Sequence, residues 1–362
     1  MSLFGYNFFT SKKSLIINLS IILVVTGLSV YFLVTKNVIN AETVKYLSFV
    51  SIFAVFAFKY LSLFGESLVN YLTVKNSLSG WTLFRSFSER LYGNLGSDVS
   101  PFKSAHYPLR LYYYAKKNYG FFQSLSALTK CQILASFSSV INYAILSLVS
   151  GILGYTVTVQ GTTVGLFAIV LIGLGFHALT LTLCLMLAFI KPFQTFMISL
   201  VAKIKYGKRK PIECAKFCET QAVKYSVYKE QVLIMLKEFW RYLLPTFIYI
   251  LNMFITSSLI YVSYVCVTNS ALDFKTFFIF YLLTICTTYI TNVIPIPGGS
   301  GSSEVVFSLV FAKVVPESTI GAVLVVWRFG SYYIPVIIGV LFFIISSIII
   351  ERKKIKKVKA EG

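Results

Sequence analysis

Acid and histidine are scarce in this sequence. Only 13 Asp and Glu accompany 33 Lys and Arg among 362 residues, and the histidines are His106 and His177 alone. No His/Cys/carboxylate cluster, Ser-His-Asp arrangement or phosphate-binding P-loop can be assembled from such a set. The expected catalytic residues, metal and cofactors are therefore none. His177 lies in an apolar run and reads as a packed, hydrogen-bonded residue. Cysteine is limited to six positions, four of them (Cys131, Cys184, Cys266 and Cys286) in apolar runs, where the thiol acts as a small hydrophobe. Cys214 and Cys218 stand in a basic loop with no histidine near, a weak metal pattern.

Charge of either sign makes up 13% of the chain, while 57% is hydrophobic and 17% aromatic. Runs of about 20 apolar residues cross a bilayer roughly 30 Å thick. The fold class is all-α polytopic membrane protein, one integral membrane domain over 1–362 with about eight transmembrane helices, broken or re-entrant half-helices included. Spans are expected near residues 15–34, 46–64, 131–155, 164–190, 242–267, 277–294 and 320–350, with a re-entrant half-helix at 302–315. The first run is too long, and too poor in small residues before Lys36, for a cleaved signal peptide.

A net charge of +20 suggests nucleic acid in a soluble protein. Here the positive residues cluster between apolar runs and at the 351–362 tail, which fits the positive-inside rule, with no direct nucleic-acid partner. Lys12 and Lys13, the basic 75–117 segment, the Lys191–Arg241 segment and the tail are expected on the cytoplasmic side, with both termini. The tail also suits anionic headgroups. Glu213–Arg241 alternates charged and apolar residues at helical spacing, as an interfacial or a connector helix does.

Two segments break the helical pattern. One is Ile294-Pro-Ile-Pro-Gly-Gly-Ser-Gly-Ser-Ser-Glu304, inside a very apolar stretch. The other is Gly93–Phe102, followed by Tyr107–Tyr114. Irregular backbone at bilayer depth survives only where protein buries it or a wet cavity receives it. Paired broken segments point to a binding site. Pro297 fixes the turn. Gly298, Gly299 and Gly301 permit positive φ and close backbone approach. Ser300, Ser302 and Ser303 are N-cap candidates for a helix starting near Ser303, whose free amides suit an anion such as a lipid headgroup.

Glu304 falls in the first turn of that helix. Its expected partner is Arg328, the only cation in the last long apolar stretch, either as a structural pair or as a pair that handles substrate. Tyr332, with Tyr333, lies one turn beyond, lining a polar path or an interface belt. Lys59 and Glu66 share one face of the second span, seven residues apart. Lys59 is the candidate cavity residue. Arg110, near a helix start, opposes the helix dipole and calls for a compensating anion or carboxylate.

The pattern Pro297-Gly-Gly-Ser-Gly-Ser-Ser-Glu304, then Trp327-Arg328-Phe-Gly-Ser-Tyr-Tyr-Ile-Pro335 and Gly339, resembles the lysylphosphatidylglycerol synthase transmembrane region. That region is the flippase-like membrane domain of the bacterial multiple peptide resistance factor. Ser100-Pro101-Phe102 and Pro108-Leu-Arg-Leu-Tyr112 resemble the family's earlier Thr-Pro…Gly-Gly-x-Pro motif, although Lys103–Tyr107 stands where the family carries glycines.

The resemblance implies a multi-pass plasma-membrane protein that moves anionic or aminoacylated phospholipid, such as lysylphosphatidylglycerol, between leaflets and so supports resistance to cationic antimicrobial peptides. It also implies phosphatidylglycerol or its lysyl ester as partner, with or without a soluble lipid-modifying enzyme of the kind full-length members carry; a homo-oligomer stays open. The alternative is a phosphatidylglycerol lysyltransferase, by family label or with a synthase subunit in trans. The soluble synthase domain is not recognised before Gly362, so synthesis by this chain alone is not expected. The third reading is a scaffold that anchors such an enzyme.

Overall fold

A computed structural model describes residues 45–154, 156–159, 162–206, 211–294, 296–299 and 301–361, with Ser20, Val24, Gly27, Tyr31 and Thr35 as isolated helical positions. Apart from those positions the expected 15–34 span lies outside the described residues, as do Lys12, Lys13, Ser300 and the side chains of Cys214, Pro297 and the 351–362 tail.

The fold is all-α and polytopic, and six described segments are long and apolar enough to cross a membrane. The first is α1 (Phe49–Val74), which starts where Ser48 accepts a hydrogen bond from the Val50 amide. Two helices follow that hydropathy does not reveal, α2 (Leu83–Val99) and α3 (His106–Lys116). The second span is α4 (Phe121–Leu153), closed by Gly154 in the left-handed region at φ 62. It begins ahead of the apolar run at Cys131. Its first turns bury Ser124, Ser126, Thr129 and Lys130 against protein, so they need no hydrophobic sequence. Lys130 is held there by Ser77 Oγ and Gln231 Oε1, at 2.7 and 2.8 Å.

A short hairpin, β1 (Thr156–Val159) against β2 (Thr162–Gly165), leads into α5 (Leu166–Phe189). Then come α6 (Lys191–Tyr206), α7 (Pro211–Lys237), α8 (Leu243–Ser257), α9 (Leu259–Thr268) and α10 (Phe274–Val293). The chain finishes with α11 (Ser302–Phe311), α12 (Glu317–Arg328) and α13 (Ile334–Glu361). Between α12 and α13 lies a π-helical turn, Phe329–Tyr333. Pro335 lacks the N–H that a regular ladder would need there, and Gly330 lets the turn press on α1, where an added Cβ would lie 2.7 Å from Val55 Cβ. π-turns of this kind recur at functional sites.

Apolar packing joins these pieces. Phe280, Phe307, Phe311, Val323 and Val326 are fully buried in the cluster that binds α10, α11 and α12. Trp81, Tyr92, Tyr113, Tyr114 and Phe343 lock α2 and α3 onto α13, Trp81 and Tyr114 stacking at 4.9 Å. Large apolar side chains on the outer faces, such as Phe49 at 82% and Ile152 at 83% exposure, are those a lipid phase accepts. Between such helices the stabilisation is close packing and hydrogen bonding rather than water exclusion.

Two helical hairpins carry the breaks. In the first, α2 and α3 fold back on one another around residues 100–105. The break lies later than its glycines suggest: Gly93 and Gly96 are helical, and they permit contact. A Cβ on Gly96 would meet the Ala105 carbonyl oxygen at 2.4 Å, and one on Gly93 would meet Arg110 at 2.9 Å. The left-handed backbone at the tip is instead taken by Phe102 (φ 52) and Lys103 (φ 56). In the second hairpin, α10 and α11 pack together around the turn Pro297–Gly299. The two tips touch each other.

Candidate functional site

The second tip is built by glycine. Gly298, Gly299 and Gly301 all have positive φ, at 60, 63 and 82. Gly298 also makes room: a Cβ there would lie 2.0 Å from Tyr332 Oη. The N-cap position of α11 belongs to Gly301, with no side-chain cap. This corrects the serine-cap expectation. Ser302 and Ser303 are already helical and buried, and Ser302 Oγ donates back to the Gly299 carbonyl at 3.0 Å. Glycine holds the N-cap because a φ of 82 suits it and strains a side chain.

Glu304, in the first turn of α11, is 1% exposed and faces Arg328, which is 4% exposed, with Nε 2.8 Å from Oε1. The Arg328 guanidinium also lies over the Tyr332 ring at 4.2 Å and the Tyr333 ring at 5.5 Å. Such a desolvated cation–π contact contributes about 2 kcal/mol. Tyr332 passes the connection on, its hydroxyl donating to the Asp98 carbonyl at 3.2 Å. The Asp98 carboxylate in turn lies in the fields of Lys59, Lys103 and Arg328. One centre therefore gathers Gly298, Gly299, Gly301, Ser302, Ser303, Glu304, Arg328, Tyr332 and Lys59, drawn from the second hairpin, α12, the π-turn and α1, with Asp98 joining it from the first hairpin.

Arg110 belongs elsewhere. It is 2% exposed and its Nε pairs with Glu89, which is fully buried on α2. Asn70 Nδ2 donates to Glu89 Oε2 at 3.1 Å, Ser86 Oγ to Asn70 Oδ1 at 3.0 Å, and Trp81 Nε1 to Ser86 Oγ at 2.7 Å. Arg90 lies 3.8 Å from both Glu89 and Glu66. Asp98, Glu89 and Arg90 escape sequence reading because a charged 75–117 segment looks like a loop under charge counting. The signal they do leave is the four-residue spacing of Arg90, Asn94 and Asp98, one face of a helix.

Among the described residues no group of three or more His, Cys, Asp or Glu could hold a metal ion. The cysteines Cys131, Cys184, Cys218, Cys266 and Cys286 are scattered over separate elements. The arrangement suits binding and release of a charged group by paired guanidinium and carboxylate in a low-dielectric setting.

Hairpin tips that meet around buried ion pairs, inside a bundle of six candidate spans, define a polytopic helical membrane protein with irregular backbone enclosed by protein. The chain belongs to the family described as the lysylphosphatidylglycerol synthase TM region, which it matches over residues 15–339. No curated protein matches it. It is a multi-pass membrane protein of a family associated with lysylphosphatidylglycerol.

Proposed function

We propose that the chain moves an anionic or aminoacylated phospholipid, such as lysylphosphatidylglycerol, between the leaflets of the plasma membrane, and so lowers the membrane's attraction for cationic antimicrobial peptides. The observation that carries this reading is the Glu304–Arg328 pair, buried beneath the glycine tip and linked through Tyr332 to the other broken segment. A buried ion pair seldom adds stability over a well-packed apolar pair. Its retention in an apolar bundle fits a role in exchanging partners. A phosphate can take the planar fork of Arg328, while Glu304 keeps that guanidinium compensated when no lipid is present.

The test is leaflet distribution of labelled phosphatidylglycerol and its lysyl ester in vesicles containing the full chain. Redistribution should be faster than in protein-free vesicles and should fall at least tenfold in Glu304→Gln and in Arg328→Ala, as loss of a charge-assisted contact implies. Equal rates with and without protein, or in both variants, would defeat the proposal.

A further inference from the structure

Away from the Arg328 centre, a cavity of about 200 Å³ opens between α1, α2, α3, α4 and α8. Its polar wall is Glu66, Arg90, Asn94, His106, Arg110 and Gln132. At this volume, below the roughly 300–1,000 Å³ of sites for drug-sized molecules, it accepts a small polar group and not a whole amphiphile. Tyr107, 40% exposed, stands at its edge, so a group can enter from the surface while its tails stay outside.

The donors of this wall are not used up by the protein. Arg110 spends Nε on Glu89 and Nη1 on His106 Nε2 at 3.3 Å. Its buried Nη2 has no acceptor among the described residues, and the buried Nε of Arg90 makes no hydrogen bond there either, with Glu89 Oε2 at 3.8 Å as an ion-pair partner only. Asn94 makes no side-chain hydrogen bond among the described residues. His106 offers no second positive charge. Its Nδ1 lies 2.9 Å from both the Gly93 carbonyl oxygen and Ser97 Oγ, and since the Arg110 guanidinium at Nε2 can only donate, the proton is assigned to Nδ1. The lone pair of Nε2 then faces Arg110, and the ring holds the guanidinium in place as a neutral acceptor. Gly93 completes the fit, because a Cβ there would lie 2.9 Å from the Arg110 stem and 3.0 Å from His106. Two buried guanidinium groups with spare N–H bonds, beside a free amide, form the donor array of an oxyanion site.

We infer that this cavity is a second phosphate-binding site, reached by the same lipid headgroup that visits Arg328. The two centres are joined by one face of α2, which carries Arg90, Asn94 and Asp98 in succession over a rise of about 12 Å. The face of α1 opposite carries Lys59 and Glu66. A phosphate leaving Arg328 thus has a polar lane toward Arg90 and Arg110. The identity of the phosphate as a headgroup rests on the lipid-carrier reading; the binding site itself does not.

The full chain, freed of phospholipid in detergent, is titrated with dihexanoylphosphatidylglycerol and, separately, with inorganic phosphate, with binding followed by ³¹P line broadening. The Glu304→Gln/Arg328→Gln background removes the first centre. In that background short-chain lipid should still bind. Asn94→Leu, which breaks no bond inside the protein, should weaken it by about tenfold or more, the range of a hydrogen bond to a charged group. The paired change Glu89→Gln/Arg110→Gln should abolish it without stranding a charge. Lipid binding with little phosphate binding identifies a headgroup site; equal binding of both identifies a site for free phosphate. No binding of either probe, or affinities unmoved by Asn94→Leu and by the paired change, overturns the inference. Wild-type protein that binds at this cavity but moves no lipid would defeat the carrier proposal and leave the cavity standing.

Discussion

Replacing Arg328 by glutamine should leave the protein with a Glu304 that has lost its counterion in a place where that side chain is 1% exposed. Removing one partner of a buried pair costs roughly 3–5 kcal/mol, and the contact of the guanidinium with Tyr332 at 4.2 Å adds about 2 kcal/mol to the loss. With each kcal/mol worth a little over ~1 °C in a chain of 362 residues, the midpoint of thermal unfolding should fall on the order of 10 °C. Glu304→Gln/Arg328→Gln removes both charges, so it should recover most of that loss and retain only the missing cation–π contact. The measurement is thermal unfolding of detergent-solubilised protein for wild type, both single variants and the double, run beside the vesicle transport assay. A pair that only supports the fold would regain transport together with stability in the double variant. A pair that handles the headgroup would regain stability alone. If Arg328→Gln unfolded at the wild-type temperature, the buried-charge reasoning would be refuted, for the carboxylate would then have found water or another partner.

Glycines offer sharper contrasts. Gly298→Ala, with Tyr332 Oη 2.0 Å from the new Cβ, should displace Tyr332 from Asp98 and cut transport at least tenfold. Gly301→Ala has nothing within 4 Å and should show only the backbone strain, about 1–3 kcal/mol; equal transport by the two would argue against the Tyr332 link. Gly96→Ala meets main chain at 2.4 Å and should destabilise by about 1–3 kcal/mol through overpacking. Gly175→Ala meets nothing and should be neutral or gain up to about 1 kcal/mol of helix propensity. Thermal unfolding of the two separates these outcomes. Finally, the Thr276 hydroxyl and amide bonds to Asp273 hold that carboxyl below its ordinary 3.8. Because the folded value is the lower one, this cap stabilises α10 fully above the ordinary value and is lost as pH falls through the folded value. Protection of the first-turn amides of α10 from hydrogen exchange, taken relative to the intrinsic rate at each pH, should therefore fall in acid, and Asp273→Asn should flatten that dependence.

What the sequence disclosed and what it hid divide along a physical line. Pro297, Gly298 and Gly299, with Glu304 and Arg328, stand out because each is costly in an apolar helix, and the pair meets at 2.8 Å. The six apolar segments were legible for the same reason. Hidden were α2 and α3. Their helices lie inside protein, so they carry serines, glycines and charges in place of a hydrophobic run, and counting Lys and Arg assigns them to a loop. Their charges cancel internally, Arg110 with Glu89 and Arg90 with Glu89 and Glu66, a pairing that needs tertiary structure to be seen. Lys130 is the same case on α4, since only its contacts with Ser77 and Gln231 explain a lysine that is 1% exposed.

The two arginines differ in how the backbone treats them, and this bears on direction. Arg328 ends α12 and Glu304 begins α11. Glu304 sits at a helix start whose dipole favours it, typically by 0.3–1 kcal/mol and more when partly buried, while at Arg328 the helical backbone runs on through the π-turn into α13. At that pair a phosphate must compete with Glu304 for the guanidinium. Arg110 lies near the start of α3, the wrong end for a cation. Glu89 offsets it, but Asn70 also draws on that carboxylate, and the guanidinium keeps an N–H without an acceptor. An arriving anion therefore meets an N–H without an acceptor at Arg110, whereas at Arg328 it has to displace a carboxylate held at 2.8 Å. Of the two centres, the cavity at Arg110 should hold phosphate longer and the Arg328 centre should release it faster. If phosphate proved to be bound more tightly by the Glu89→Gln/Arg110→Gln variant than by Glu304→Gln/Arg328→Gln, the order would be the reverse, and the helix dipoles would not be what ranks the two sites.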